Sequence, residues 1–353
     1  MAALAVLFTL WEKSKRRRNY LTRPALLPHS DSAWKTLYDS YDDKAYVNTM
    51  SLDVASFHRI HRYLVTDKFL TCSIRHNCTM TTYSILGLAL LYLNSTMGQK
   101  SMCLIFGIPP AVCSRFLWRG LHALQKAFRA DKIEEAKIEW PNENEMQRLG
   151  QKLVDSDHNF EGCFPFGFID GLRLEIQDSG DLLEQNAYYS GKNAHACIGN
   201  VIIFCPEGTI LWWKGNCPGS WHDISIAATF LGKCRDYMPK GCKIIADSGF
   251  IRKDLSECLL VSKTREAISQ SQLSEKEKSL ARSITSARQA AEWGMHAIKG
   301  TFGRLRTVLT SDHKRRCTIL ECCMHLHNYQ TRTVELNQIR TVYAEPMQQY
   351  TID

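Results

Sequence analysis

The chain has 353 residues, room for two domains, and its 44% hydrophobic and 23% charged residues are the balance of a globular protein, not a fibrous or disordered one. A formal net charge of +8 favours an acidic partner, with nucleic acid first in line. The 14 cysteines include no CxxC-type pair, and a chain of this length with its own apolar segments needs no disulfide scaffold; buried thiols in a reducing compartment are the expectation.

Residues 1–10 are apolar but lack the preceding positive charge of a secretion signal. The charge follows instead, at Lys13, Lys15, Arg16, Arg17 and Arg18. Such a cluster suits a nuclear localisation patch or a basic arm, and equally a solvated charge run. Residues 1–30 read as an irregular basic N-terminus and 31–155 as a helical domain.

Within that domain, 81–94 is an apolar helix whose core, 85–93, is too short to cross a bilayer, which needs about 20 residues. A short helix over 99–106, a turn at Gly107-Ile108-Pro109-Pro110 and a longer helix over 111–128 follow. The long helix turns Cys113, Phe116, Leu117, Leu121 and Leu124 inward and leaves Ser114, Arg115, Arg119 and Lys126 outside. Short helix, tight turn and basic longer helix suit a helix-turn-helix DNA reader, with Arg115 and Arg119 as contacts, although any compact helical bundle has the same spacing. Residues 131–151, with Trp140-Pro141, look like a connector.

The texture then changes to strands. Residues 166–176 form one, 196–204 and 209–214 a hairpin around Pro206-Glu207-Gly208, and 241–246 a further strand. Helices return at 224–231 and from Ser286 onward. Residues 263–288, rich in Ser, Gln, Lys and Glu, read as an exposed helical insertion or a mobile loop. The catalytic-type domain spans 160–335, and 336–353 is a tail. Cys322-Cys323-Met324-His325-Leu326-His327 is the nearest approach to a zinc site, but adjacent helical positions diverge, so buried core is expected.

Three acids stand in distinctive settings. Asp170 shares one strand parity with Phe168, Leu172, Leu174 and Ile176, so a carboxylate interrupts an apolar face. Burying it costs several kcal/mol unless it is paired, protonated or metal-bound. Asp247 ends the apolar run 242–246, at the start of a Gly-containing turn. Glu292 borders a helical stripe of Ala287, Ala291, Ile298, Phe302 and Leu305, with Arg288 and His296 four residues to either side and Lys299 beyond. On spacing alone this is better described as a salt-bridged surface helix in which Arg288 pairs with Glu292 than as a metal ligand flanked by phosphate-holding cations. Two strand acids and a helix acid are nonetheless what a carboxylate metal site for phosphodiester chemistry requires, because Mg²⁺ (or Mn²⁺) prefers hard oxygen donors and two ions can stabilise both oxygens of an in-line displacement.

Several ordered motifs extend the pattern: Phe-Gly-Phe-Ile-Asp-Gly (166–171), Gln-Asn-Ala-Tyr-Tyr-Ser-Gly (185–191), Pro-Gly-Ser-Trp-His-Asp (218–223), Ala-Asp-Ser-Gly-Phe (246–250), Ala-Glu-Trp-Gly-Met (291–295) and Gly-Thr-Phe-Gly-Arg-Leu (300–305). In these the chain resembles the PIF/Harbinger superfamily of DDE transposases and the nucleases derived from them, in the lineage of oomycete and fungal genomes. The resemblance implies an α/β, ribonuclease-H-like catalytic domain, a mixed sheet flanked by helices, preceded by the helical domain. It implies two divalent ions, double-stranded DNA as substrate, cleavage that releases a 3′-hydroxyl, and attack of that hydroxyl on target DNA. Its triad falls on Asp170, Asp247 and Glu292, as both catalytic residues and metal ligands. Lys192 matches a motif position facing backbone phosphate, with surface lysine as the plainer reading. Asp223 is the rival for the middle acid, read here as a cap of the helix near Ile224. Leu172 and Ile251 depart from the family pattern without removing a ligand. Relatives in the family often rely on a separately encoded Myb-like DNA-binding partner; a nuclear location and a homo-oligomer are compatible with this reading, and the short apolar stretch speaks for no membrane. A domesticated, catalytically silent DNA-binding or scaffold protein is the alternative.

Overall fold

In the computed structural model the described residues are Leu7 and 21–71, 80–156, 160, 162–191, 194–230, 234, 236–251, 257–261, 274–334 and 337–343. The basic cluster at 13–18 and Lys192 lie outside them.

The N-terminal region is helical: α1 (Ala33–Ser40), α2 (Asp43–Met50), α3 (Val54–Thr66), α4 (Thr82–Asn94), α5 (Gln99–Phe106), α6 (Pro110–Arg129) and α7 (Glu143–Asp155). Local chemistry sets the starts. Ser32, Asp42, Asp53, Thr81 and Asn142 each accept a backbone amide of the first turn, a cap worth about 1 kcal/mol. Pro110 opens α6, where its missing amide costs nothing. Helix α4 is buried nearly all round, from Ser84 to Leu91, so it is the axis of this region and not a surface helix. Helices α5 and α6 meet at 95°, and the residues expected inside α6 are all buried. No single described helix is long and apolar enough to cross a membrane.

The connector expected over 131–151 is a correction. Its second half is helix α7, whose Met146, Leu149 and Leu153 are buried, the first two against the sheet. Asn142 caps it and its apolar side has helical spacing, a signal masked by the surrounding charge.

The sheet carries β1 (Phe164–Glu175), β2 (Tyr189–Ser190), β3 (His195–Phe204), β4 (Ile210–Pro218), β5 (Cys242–Ala246) and β6 (Leu259–Val261). Its main order is β4-β3-β1-β5-β6, with the short β2 on the start of β3. Strands β4, β3 and β1 are antiparallel, while β5 lies parallel to β1 and β6 parallel to β5. This is the ribonuclease-H-like mixed sheet, with helices on both faces. Helix α8 (Leu182–Tyr188) precedes β2, and α9 (Asp223–Ala227) follows β4.

The long helix α10 (Glu275–Thr301) covers the face of Phe168, Leu172, Ile202 and Phe204. Helices α7 and α9 cover the other, against Ile169, Val201, Ile203 and Ile244. Residues 275–288 are helical, as one of the two sequence readings has it, but they are the first half of α10, with Ala281, Ile284 and Ala287 buried, and not a separate exposed insertion; Ser274 and Glu277 form a capping box at its start. Residues 262–273 are outside the described ones.

Helix α11 (His313–Thr333) then runs between the helical region and β4, and α12 (Gln338–Tyr343) follows. Cys322 and Cys323 are fully buried on α11, His325 bonds the Ala136 carbonyl and stacks on Phe128, and His327 bonds the Gly208 carbonyl. These side chains diverge into core contacts, as adjacent helical positions must.

Candidate active site at the edge of the sheet

Strand register brings the first two acids together. In the parallel β1–β5 pair Ile169 lies opposite Ala246, so Asp170 and Asp247 are the next residue on each neighbouring strand. Asp247 stands where β5 ends and a 3₁₀ turn over Ser248–Phe250 begins, closed by Phe250 N–H donating to the Asp247 carbonyl at 3.0 Å. The third acid comes from α10. Gly294 lets that helix approach closely, because a Cβ there would lie 2.7 Å from the Phe204 ring. Glu292 is thereby carried to the sheet edge while Ala290, Ala291 and Met295 pack beneath it.

One guanidinium joins the cluster. Arg288 Nη1 is 3.6 Å from Asp247 Oδ1, and its Nη2 is 3.1 Å from Glu292 Oε1. The sequence expectation of an Arg288–Glu292 pair is met, but the same arginine also reaches the strand acid. Asp170 accepts the Gly171 N–H at 2.7 Å. Burial pushes its carboxyl up to about 6; the Gly171 amide and Arg288 oppose that rise, and the charges of Asp247 and Asp223 add to it. His296 is exposed and Lys299 half-buried on the Glu292 side of α10.

Asp223 belongs to the opposite face of β1. A Cβ on Gly171 would lie 2.4 Å from Asp223 Oδ2, so glycine follows Asp170 because the carboxylate occupies that space. Arg173, of the same parity as Gly171, bonds Asp223 at 2.8 Å and also donates to the carbonyls of Gly219 and Trp221. One arginine thus organises the whole Pro-Gly-Ser-Trp-His-Asp loop. Asp223 stands at the first position of α9, without a side-chain cap bond there, so the helix-cap reading gives way to an ion pair. Arg173 went unnoticed in the sequence because an outward strand position is an ordinary place for arginine.

On the helical region Arg115 is exposed, while Arg119 is half-buried and spends its guanidinium on the Thr71 carbonyl. Trp118, His122 and Lys126 line the same shallow depression, and Arg315 of α11 lies over the Trp118 ring at 4.9 Å. Both departures from the motif pattern are benign: Leu172 is core and Ile251 is 69% exposed.

Residues 169–328 match the family described as DDE superfamily endonuclease. This match supports a DDE transposase-type nuclease fold for the segment. All three acids fall inside it, as do the Arg173–Asp223 pair and most of α11. No curated protein and no solved structure matches the chain.

Divalent metals serve DDE endonucleases generally, and the donor set suits them. Three carboxylates offer hard oxygen, and they are already organised around a positive charge. Among the described residues, no three His, Cys, Asp or Glu side chains are drawn to ligating distance of one point. The acids instead surround a guanidinium.

Proposed function

We propose that this chain is a metal-dependent DNA endonuclease of the PIF/Harbinger transposase lineage, which cleaves double-stranded DNA and transfers the 3′-hydroxyl ends. The observation that carries the reading is the convergence of Asp170, Asp247 and Glu292, from two strands and a helix, around Arg288 at the edge of a ribonuclease-H-like sheet. A structural domain with no phosphodiester chemistry has no use for a carboxylate on the apolar face of β1.

Asp170, Asp247 and Glu292 would hold Mg²⁺ or Mn²⁺ through their carboxylate oxygens. Two bound ions would supply Lewis-acid stabilisation of the attacking and leaving oxygens of an in-line displacement. The remaining roles belong to the chain. The partial burial of Asp170 strengthens its electrostatic interactions. His296 and Lys299 extend the acid-bearing side of α10 with groups suited to phosphate oxygens, and Arg115 is a DNA contact on α6. Lys192 is a further phosphate contact. The 95° junction of α5 and α6 is compatible with a helix-turn-helix reader, although Arg119 is committed to the protein backbone. The cluster Lys13–Arg18 supports a nuclear location. A separately encoded Myb-like protein and a second copy of the chain are the partners such a transposase would use.

Purified full-length chain incubated with supercoiled plasmid and Mg²⁺ or Mn²⁺ should nick it. Asp170→Ala, Asp247→Ala and Glu292→Ala should each remove nicking while leaving salt-dependent DNA binding in place. Binding without nicking, with cognate ends and partner supplied, would make the chain a silent DNA-binding protein instead.

A further inference from the structure

We propose that Arg288 is a built-in countercation of the acidic site, holding Asp247 and Glu292 together when no metal is bound and competing with the metal for them. The inference rests on the metal-site reading above and adds a regulator to it. Three observations carry it. Both terminal nitrogens of the guanidinium are engaged, one with a strand acid and one with a helix acid, so a single side chain ties α10 to the end of β5. Arg288 is only 28% exposed, against 45% for Asp247 and 49% for Glu292, so the cation lies deeper than the carboxylates it joins. Asp170 stands at the same edge, because Ile169 of β1 lies opposite Ala246 of β5 and the two strand acids follow those residues.

The consequence is electrostatic. Without a positive group these carboxylates repel one another, and α10 would be pushed from the sheet edge. With Arg288 in place the cluster is partly neutral, and an entering divalent ion must displace a guanidinium already ion-paired with two of its ligands. A unit positive charge a few ångströms away lowers a divalent ion's affinity on the order of tenfold even at the dielectric of water. Once displaced, the guanidinium remains on the side of α10 that carries His296 and Lys299, free to meet an anion. The arginine therefore sets a threshold: weak metal binding in the resting protein, and a released cation once metal has entered.

The test is a Mn²⁺ titration of the full chain, free ion being followed by electron paramagnetic resonance, for wild type, Arg288→Gln, Arg288→Lys, Asp247→Asn and Glu292→Gln. Circular dichroism confirms that each variant is folded. Arg288→Gln is expected to bind Mn²⁺ about tenfold more tightly than wild type, Arg288→Lys close to wild type, and the two acid variants more weakly. Unchanged or weaker binding in Arg288→Gln, with the acid variants impaired, overturns the countercation and leaves the metal site standing. Wild-type binding in Asp247→Asn and Glu292→Gln overturns the metal site, and this inference with it.

Discussion

Arg288 and Arg304 come from one motif-bearing stretch of chain and have opposite settings. Arg288 sits among acids at the open edge of the sheet. Arg304 is half-buried, pairs with no carboxylate among the described residues, and donates to the carbonyls of Tyr92 and Met97 at 3.2 and 2.6 Å with its guanidinium 3.9 Å over the Tyr92 ring. Burial lowers its proton affinity, yet it stays because it satisfies the Tyr92 carbonyl in the last turn of α4, where a cation also meets the negative end of the helix, and the Met97 carbonyl in the loop that follows. The Gly-Thr-Phe-Gly-Arg-Leu motif is thus a joint between the sheet-bearing region and the helical region. Helix α11 continues that joint: Asn328 bonds both backbone groups of Ile210, Glu321 pairs with Arg129, and Tyr329 reaches the Ser56 carbonyl. Charged residues in a nuclease motif are therefore not all chemistry. What separates them is whether their partners are carboxylates or buried backbone.

The sharpest way to break this contrast is to remove each cation. Arg304→Met keeps much of the stem but leaves two part-buried carbonyls without their donor, and should cost about 2–3 kcal/mol in denaturant unfolding, equally with and without Mg²⁺. A metal-dependent loss would move Arg304 to the catalytic edge.

The two regions should also respond to acid in opposite senses. His327 is buried neutral against Gly208, and burial lowers it to about 4 despite the carbonyl that favours its proton. Its contribution is present above pH ~6.5 and lost as pH falls through 4, a difference of about 3 kcal/mol. His327→Gln should flatten the stability profile in that window. Asp170, raised to about 6, works the other way. Its contribution is present below pH ~4 and lost as pH rises through 6. Metal-free Asp170→Asn should be roughly 2 kcal/mol more stable than wild type at pH 8, with the gap closing toward pH 4. Equal stability at both pH values would mean that Asp170 is not strained by its site.

The smallest expected effect concerns the reverse face of β1. Gly171→Ala should cost about 1–3 kcal/mol by driving a methyl into the Asp223 carboxylate. Asp223→Ala in the same chain should relieve the clash, whereas an unrelieved double variant would place the strain elsewhere.

Much of this edge was legible in the sequence because strand parity and helix spacing are local rules. Asp170 stands out only by interrupting Phe168, Leu172 and Leu174, and the hairpin and the strand before Asp247 follow from apolar runs and turn residues. Spacing alone favoured a surface salt bridge for Glu292, and that pair is present; only register and close packing at Gly294 bring Asp247 to the same arginine. The packing of α7 and of the first half of α10 against the sheet was hidden because exposed charged faces resemble connectors and insertions when their partners are distant in sequence. Arg173, Arg304 and Asn328 were invisible for a related reason: each bonds backbone far along the chain, which composition and periodicity do not encode.

The most direct measurement is iron-mediated cleavage of the polypeptide itself. Fe²⁺ substituted for Mg²⁺, with ascorbate and peroxide, generates hydroxyl radicals that cut backbone near the bound ion. Cuts clustered near residues 170, 247 and 292, suppressed by excess Mg²⁺ and by Asp170→Asn, are expected if these three distant segments share one metal centre. Cuts at only one segment, or scattered cuts indifferent to Mg²⁺ and to the substitution, would contradict it.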